Sequence, residues 1–293
     1  MQTLILLVAT ACFILVSCSQ NTDTISDEIK TPINLSINCV TRANDSTFEA
    51  GDKVGVFVVN QPNVLGITGN HADNICFTYS TSWTPAEPIY WKDKTTKATF
   101  YAYYPYDPSL NSVTSYSFAI QDDQSNENNY WKSDFLCGTL ADVEPTEDPV
   151  LVKTYHLFSN LLIYVKPGKG FSEETFATLS KSVKVNNVKT IANIALETCT
   201  ATVNSGDTTT SITPWNTGDY YRAMVIPQTI AEGEAFVTVT IDGVSYTLKS
   251  PGATFVANKQ HKVTVTVNKT NNGVDIGIGG WETGEGDFDG SAE

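Results

Sequence analysis

Residues 236–248 read FVTVTIDGVSYTL, two runs of strand-forming residues joined by Asp242-Gly243. Valine, threonine, isoleucine and aromatic residues favour the pleated, half-buried surface of a β-sheet. An Asp-Gly pair between two such runs favours the positive φ angles of a type I′ turn. The stretch therefore predicts a β-hairpin and indicates a protein built from strands.

Comparable runs recur through the rest of the chain, each broken by Gly, Pro, Asn or Asp. Predicted strands cover residues 33–40, 53–59, 74–79, 99–104, 114–120, 262–267 and, as a strand pair or one bent strand, 151–165. In the run KVTVTV at 262–267 the valines are expected to face inward. Phe171 to Ser180 is the single predicted helix, because Ser172-Glu173-Glu174 supply acceptors and negative charge at its start. Many short strands separated by turns favour β-sandwiches over a parallel α/β sheet.

The composition excludes two classes of protein. With 18 Lys and Arg against 32 Asp and Glu, the formal net charge is −14. Duplex binding depends on basic side chains that displace counterions from phosphates, so nucleic acid is not an expected partner. Charged residues make up only 17% of the chain and hydrophobic residues 41%, which is a globular rather than a disordered composition.

A change in composition near the middle of the chain predicts two domains. The stretch from Asp142 to Pro149 is acidic and contains two prolines, so we interpret it as a linker. This interpretation places an N-terminal β-sandwich at residues 31–148 and a C-terminal β-sandwich at residues 149–293. The predicted fold class is all-β, with the two β-sandwiches in tandem.

The first 17 residues have the pattern of a signal peptide. The run from Leu4 to Val16 contains only apolar and weakly polar residues. It is shorter than the roughly 20 residues that a membrane-spanning helix needs. The sequence Leu15-Val16-Ser17-Cys18 resembles a bacterial lipobox, in which the cysteine is acylated after cleavage. We therefore predict lipidation at Cys18 and a lipidated polar linker over residues 18–30. The alternative is an ordinary secretory signal with an incidental cysteine.

Four cysteines remain beyond Cys18, and no two of them form a CxxC pair: Cys39, Cys76, Cys137 and Cys199. Zinc sites and thioredoxin-like motifs need closely spaced pairs, so neither is expected. In an exported protein the four could form two disulfides in three possible pairings. Three of them lie inside apolar strand-like runs, where unpaired thiols are common, so the sequence favours buried thiols over disulfides.

The remaining polar residues show no pattern typical of catalysis or metal binding. The three histidines lie far apart in the sequence: His71, His156 and His261. No GxSxG nucleophile motif occurs. An acidic stretch lacks the spacing and central glycine of a calcium loop and is interpreted as a solvated turn: Asp122, Asp123, Asn126 and Glu127. The sequence predicts no catalytic residues, no metal and no cofactor.

Eight short stretches carry a resemblance to a known family. In order they are the lipobox, VTRA at 40–43, FEAGDKVGV at 48–56, ATFYAYYP at 98–105, SDFLCG at 133–138, HLFSNL at 156–161, IPQ at 226–228 and ANKQHKV at 257–263. None is specific alone, but the ordered set covers nearly the whole chain after the signal peptide. This set resembles the fimbrillin family of type V pili, in its Mfa-like branch.

The resemblance implies two transthyretin-like β-sandwiches, in agreement with the two domains above. It also implies a lipoprotein precursor carried to the cell surface and cut by a trypsin-like protease near its first strand. Loss of that strand would leave a groove that a strand of a neighbouring subunit fills, a form of β-augmentation. The implied partners are other fimbrillin subunits, in a homo- or heteropolymer, a host or bacterial surface receptor, and the outer membrane through the lipid on Cys18.

The implied assembly sites can be placed on this sequence. Arg42 is the predicted cleavage site because it follows an alternating strand and has the side chain that trypsin-like proteases recognise; Lys30 is a rival site. Cleavage would release the strand that carries Ile33, Leu35, Ile37 and Cys39. The predicted donor strand carries alternating apolar side chains, Val274, Ile276, Ile278 and Trp281. The alternative for that strand is an ordinary closing strand of the second sandwich.

The sequence therefore predicts a surface-exposed structural or adhesive fimbrial subunit without catalytic activity, located at the outer membrane or in the fimbrium. Stalk and tip subunits would have similar sequences, so the position in the fimbrium stays open. The alternative is a lipid-anchored glycan-binding module of a nutrient-uptake system. Such a module would stack sugar rings on exposed aromatic side chains, for which the candidates are Trp83, Tyr90, Trp91, Tyr130 and Trp131.

Overall fold

The computed structural model describes residues 30–39 and 48–270, together with the backbone of a strand at 273–287. The predicted signal peptide, the predicted lipidation site Cys18 and the predicted cleavage site Arg42 lie outside the described residues. In the part of the chain that is described, no helix has the length and apolar character needed to cross a membrane.

The described residues form short β-strands and two five-residue α-helices, α1 (Glu127–Trp131) and α2 (Glu173–Ala177). The first strands are β1 (Leu35–Cys39), β2 (Lys53–Asn60), β3 (Ala72–Tyr79), β4 (Trp83–Pro85), β5 (Ala98–Tyr104), β6 (Tyr116–Ala119), β7 (Leu136–Val143) and β8 (Val150–His156). The later strands are β9 (Ser159–Pro167), β10 (Lys181–Val188), β11 (Ile191–Ala195), β12 (Thr200–Val203), β13 (Thr210–Ile212), β14 (Trp215–Asn216), β15 (Tyr221–Val225), β16 (Thr229–Ile230), β17 (Ala235–Ile241), β18 (Val244–Lys249), β19 (Ala253–Thr254), β20 (Lys259–Thr270) and β21 (Gly273–Asp287). The all-β prediction is confirmed.

The strands assemble into a seven-stranded sheet and several smaller ones. The large sheet has the order β1-β8-β7-β5-β2-β3-β4, and a five-stranded sheet has the order β14-β15-β9-β20-β21. A four-stranded sheet, β13-β10-β17-β18, a three-stranded sheet, β12-β11-β6, and the pair β16-β19 complete the arrangement. The ladders β1–β8 and β9–β20 are parallel, whereas hairpin neighbours such as β17–β18 are antiparallel.

The seven-stranded sheet is covered on both faces. This burial explains why the sequence of its strand β2 is almost continuously apolar. Val54, Val56 and Val58 belong to one buried cluster, while Phe57 and Val59 belong to a second, larger cluster. A strand that is buried on both faces has no solvent side on which polar residues would alternate. The larger cluster extends from this sheet to side chains of β9, β10, β17 and β20, so one core joins the two halves of the chain.

The stretch predicted to link two domains lies inside the seven-stranded sheet. Its first two residues, 142 and 143, belong to β7, and residues 144–149 connect β7 to β8. Strand β8 pairs with both β7 and β1 of that sheet. The chain changes sheets later, between β8 and β9, at Leu157 and Phe158. Acidic residues and prolines interrupt a strand but do not show which sheet the next strand joins. The two halves also share a sheet, because β6 pairs with β11.

Several local predictions are confirmed in detail. The β17–β18 hairpin has a two-residue loop, with φ angles of 48° at Asp242 and 84° at Gly243. The valines of the KVTVTV run in β20 are buried. Helix α2 begins after Ser172, whose side chain accepts a hydrogen bond from the backbone of Thr175 in a capping box.

Two local predictions were wrong. A second helix, α1, lies in the polar stretch after β6, where the Asn126 side chain caps its first turn. Cys137 and Cys199 form a disulfide across a sequence separation of 62, whereas the sequence favoured buried thiols. An apolar run indicates that Cys137 is buried but not which side chain lies opposite it, and Cys199 is brought there by the β11–β12 turn. Cys39 and Cys76 are not in disulfides.

The buried histidine of β20 predicts a pH dependence of stability. Burial lowers the pKa of His261 from its usual 6.5 to about 4, because the charged imidazolium is poorly solvated there. The unfolded chain therefore binds more protons than the folded chain between these values. We expect the unfolding free energy to fall by about 2 kcal/mol as the pH decreases from about 6.5 towards 4.

Urea unfolding at a series of pH values in this window measures the effect. The variant His261→Gln should lose most of this component, while His71→Gln, at an exposed position, should retain it. An identical pH dependence in His261→Gln and the unsubstituted protein would contradict the prediction.

Candidate functional site

Strand β1 forms one edge of the seven-stranded sheet. Of the described strands in that sheet it pairs only with β8, in parallel, with Leu35 opposite Val150 and Ile37 opposite Val152. A parallel neighbour cannot be joined by a tight hairpin, so β1 is held by a ladder to a strand far along the chain. It therefore lies at the edge of the sheet, beside a strand that is distant in the sequence.

The inward side chains of β1, and that of Ile33 two positions before it, fill the core beneath this edge. Ile33, Leu35 and Ile37 are 3%, 8% and 2% exposed. They belong to one cluster with apolar side chains of β2, β3, β5 and β8 and with Trp91, and the cluster includes Val54, Val56, Phe77, Phe100, Val150 and Val152. The sequence predicted the same three side chains on one face, whereas the fourth, Cys39, is half-buried.

The residues just before β1 contact the segment that follows β4, and β1 itself contacts Trp83 of β4. The backbone N–H of Ile33 donates to the carbonyl of Ile89 at 2.8 Å, and that of Trp91 donates to Thr31 at 2.9 Å. The indole Nε1 of Trp83 donates to the carbonyl of Ile37, also at 2.8 Å. The floor of apolar side chains, the β8 ladder and this segment together define a groove that β1 occupies, and we call it the β1 groove.

Strand β21, the predicted donor, is the edge strand of the five-stranded sheet. It pairs antiparallel with β20, and its residues Val274, Ile276, Ile278 and Trp281 lie opposite Lys269, Val267, Val265 and Val263. In this single chain it therefore closes its own sheet, which is the alternative that the sequence left open. Donation to a neighbouring subunit remains a prediction.

The five aromatic residues considered for glycan binding do not form a common exposed surface. Trp91 and Tyr130 are 3% and 0% exposed and lie in two different buried clusters. Trp83 is half-buried and contacts the ring of Phe48, and Trp131 is half-buried beside Tyr130. Tyr90 is the exposed member of the set, at 40%.

The three histidines and the acidic stretch lie in separate places. His71 Nε2 lies 2.6 Å from the carbonyl oxygen of Tyr90, His156 contacts Asp134, and His261 is buried in β20. In the acidic stretch, Asp123 accepts a hydrogen bond from the backbone of Ser125, and Asn126 caps α1. Among the described residues, no group of three or more His, Cys, Asp or Glu side chains could hold a metal ion.

Truncation of a β1 side chain tests how firmly the strand is held. Ile37→Ala removes buried methyl groups from the β1 groove and should lower the unfolding free energy by about 3 kcal/mol. Asn38→Ala is the matched control, because Asn38 is the next residue of the same strand and its side chain is exposed. Urea denaturation of both variants measures the difference, and equal small losses would show that the groove is loosely packed.

Comparison with known proteins decides the family. A fimbrillin-like family model matches residues 41–281. The chain belongs to the fimbrillin-like family. The match begins after β1 and ends within β21, so most of the described fold of this fimbrillin-like protein lies inside it.

Individual relatives agree with this assignment. A candidate fimbrium subunit of Bacteroides uniformis, Fim1C, is 26% identical over 264 residues, which cover 84% of this fimbrillin-like chain and 82% of the relative. The crystal structure of a candidate cell adhesion protein of B. uniformis superposes with a TM-score of 0.66 at 21% identity and covers 86% and 97% of the two chains. A fimbrial protein of Bacteroides vulgatus superposes with a TM-score of 0.56 at 16% identity, over 86% and 99%. These two structures share the fold of this protein.

Proposed function

We propose that this protein is a structural or adhesive subunit of a fimbrium. The fimbrillin-like match over residues 41–281 carries the proposal, and the relative named as a fimbrium subunit supports it along most of both chains. The family points to a structural protein rather than an enzyme. The expected location is the cell surface, in the fimbrium, with the precursor attached to the outer membrane through a lipid on Cys18.

The finer proposal is that subunits assemble by exchange of strand β1. The three apolar side chains at 33, 35 and 37 are buried, so removal of β1 would expose the apolar floor of the β1 groove. Removal would also leave the backbone groups of β8 that face β1 without partners. Unpaired backbone groups and exposed apolar surface both cost free energy, and a strand from a neighbouring subunit would satisfy them.

Geometry favours Arg42 over Lys30 as the site of cleavage. Lys30 precedes β1, so a cut after it would leave β1 joined to β2. Arg42 follows the last residue of β1, Cys39, by three positions. A cut after Arg42 would leave β1 attached by non-covalent contacts alone, which is what release of the strand requires.

The proposed donor is β21. It is an edge strand with apolar residues at every second position, 274, 276 and 278. The pockets that Ile33, Leu35 and Ile37 fill have the same spacing, so they would accept these side chains. To donate, it would have to leave β20, which then would need its own replacement or remain an edge. The proposed partners are other fimbrillin subunits, identical or different, with a surface receptor as a further partner.

Limited proteolysis tests cleavage and assembly together. The chain from Ser19 onward is treated with limiting trypsin, and the new N-terminus is sequenced while oligomers are followed by gel electrophoresis in mild SDS. We expect a terminus at Ala43, loss of the β1 fragment and a ladder of multimers. Arg42→Gln should prevent all three, and Lys30→Gln should prevent none.

Cleavage confined to other loops, or a monomeric product cut at Arg42, would contradict the strand-exchange proposal. Saturable binding of a glycan by the uncut monomer, without multimers, would support the glycan-binding module instead.

A further inference from the structure

Three chemically active side chains from separate parts of the chain meet where β1 ends. Cys39 is the last residue of β1, and His156 is the last residue of the neighbouring strand β8. Asp134 lies in the short turn between α1 and β7. The Cys39 Sγ lies 3.7 Å from Nε2 of His156, and Nδ1 of His156 lies 2.8 Å from Oδ2 of Asp134.

The geometry assigns the protons on this chain of contacts. A carboxylate accepts hydrogen bonds, so the Nδ1 of His156, within 3.0 Å of both oxygens of Asp134, carries the hydrogen. In the tautomer that carries its hydrogen on Nδ1, Nε2 is the acceptor and the thiol of Cys39 donates to it. This is the order nucleophile, base and orienting carboxylate that activates thiols in other proteins.

The three residues differ in burial, as a thiol activated by a fixed base requires. His156 and Asp134 are 3% and 4% exposed, so packing holds the base and its carboxylate in place. Cys39 is only half-buried, at the edge of the sheet, which is less enclosed than the positions of His156 and Asp134. The other thiol outside a disulfide, Cys76 on β3, is also half-buried, but no described histidine hydrogen-bonds to it.

We propose that Cys39 is an activated thiol, and that Cys39, His156 and Asp134 form a site for covalent modification by disulfide compounds. The proton of Cys39 passes to Nε2 of His156, and the thiolate attacks one sulfur of the reagent. A new S–S bond forms at Cys39 as the bond of the reagent breaks, and the departing thiolate takes up a proton. One disulfide is exchanged for another, so no separate oxidant or reductant is needed.

The inference does not depend on cleavage or strand exchange, since it concerns the intact chain. It does place the modified residue on the strand whose release is proposed above. A thiol adduct at Cys39 would accordingly leave the subunit together with β1.

The rate of reaction with an aromatic disulfide such as DTNB tests the proposal. The chain from Ser19 onward is used as two variants, Cys76→Ser to follow Cys39 and Cys39→Ser to follow Cys76. We expect Cys39 to react about tenfold faster or more than Cys76 under native conditions. The two rates should converge in urea, where the three side chains are separated.

Substitution of the base distinguishes activation from mere accessibility. His156→Gln in the Cys76→Ser background should lower the rate at Cys39 about tenfold. The same substitution in the Cys39→Ser background should leave Cys76 unchanged. Partial unfolding would raise both rates, so a fall at Cys39 alone cannot come from loss of structure. Equal native rates at the two thiols, or a Cys39 rate that His156→Gln leaves unchanged or raises, would overturn the proposal.

Discussion

A chain that begins at Ala43, and therefore lacks β1, is expected to unfold far more easily as a monomer than the full chain. The loss uncovers the pockets of Ile33, Leu35 and Ile37. Each buried side chain of this size contributes about 1.5 to 3 kcal/mol, so the expected loss is about 6 kcal/mol. That is comparable to the whole stability of many domains, so the truncated chain should either associate or become partly unfolded.

A synthetic peptide of residues 30–41 should reverse this effect when added to the truncated chain. We expect it to raise the urea midpoint and to reduce association, measured by unfolding curves and by analytical ultracentrifugation. A control peptide with Asp at positions 33, 35 and 37 keeps the backbone but cannot fill the pockets, and it should have no effect. Full stability of the truncated monomer without peptide would show that β1 does not close the core.

Loss of the disulfide is the second large effect. The bond between Cys137 and Cys199 closes a loop with a sequence separation of 62 and ties β7 of the seven-stranded sheet to the β11–β12 turn of the three-stranded sheet. Cross-linking over such a loop restricts the unfolded chain, and the double variant Cys137→Ala, Cys199→Ala should be less stable by about 4 kcal/mol. Urea unfolding with and without a thiol reductant provides the measurement.

The unsubstituted protein should lose stability when reduced, whereas the double variant should not respond to the reductant. Cys39→Ser with Cys76→Ser is the control, because neither residue is in a disulfide, and it should still respond. If reduction leaves the urea midpoint of the unsubstituted protein unchanged, the bond does not contribute as expected.

Features that depend on neighbouring residues could be predicted from the sequence. The Asp242-Gly243 turn, the inward valines of β20 and the capping of α2 by Ser172 each follow from contacts within a few residues. The buried face of β1 could also be predicted, because alternation along one strand is itself a local pattern. The sequence therefore determined that the protein is all-β and which side chains of its first strand face the core.

Only the tertiary structure decided which strands are neighbours. The apolar run over 151–165 predicts a strand pair or one bent strand, but not that its first part, β8, joins the first sheet, parallel to β1. Likewise, the pairing of β6 with β11 and the bond of Cys137 to Cys199 join residues that are far apart along the chain. Such pairings depend on how whole surfaces fit together, which no short stretch encodes.

The same limit applies to the cluster at the end of β1. Cys39 and His156 are 117 residues apart, and each one taken alone resembles an ordinary strand residue. The parallel β1–β8 ladder brings these strand ends together, and the turn before β7 supplies Asp134. The sequence determined the residue types and indicated the buried faces of β1 and β20. The tertiary fold alone decided that a thiol, an imidazole and a carboxylate share one site, because that depends on long-range strand pairing.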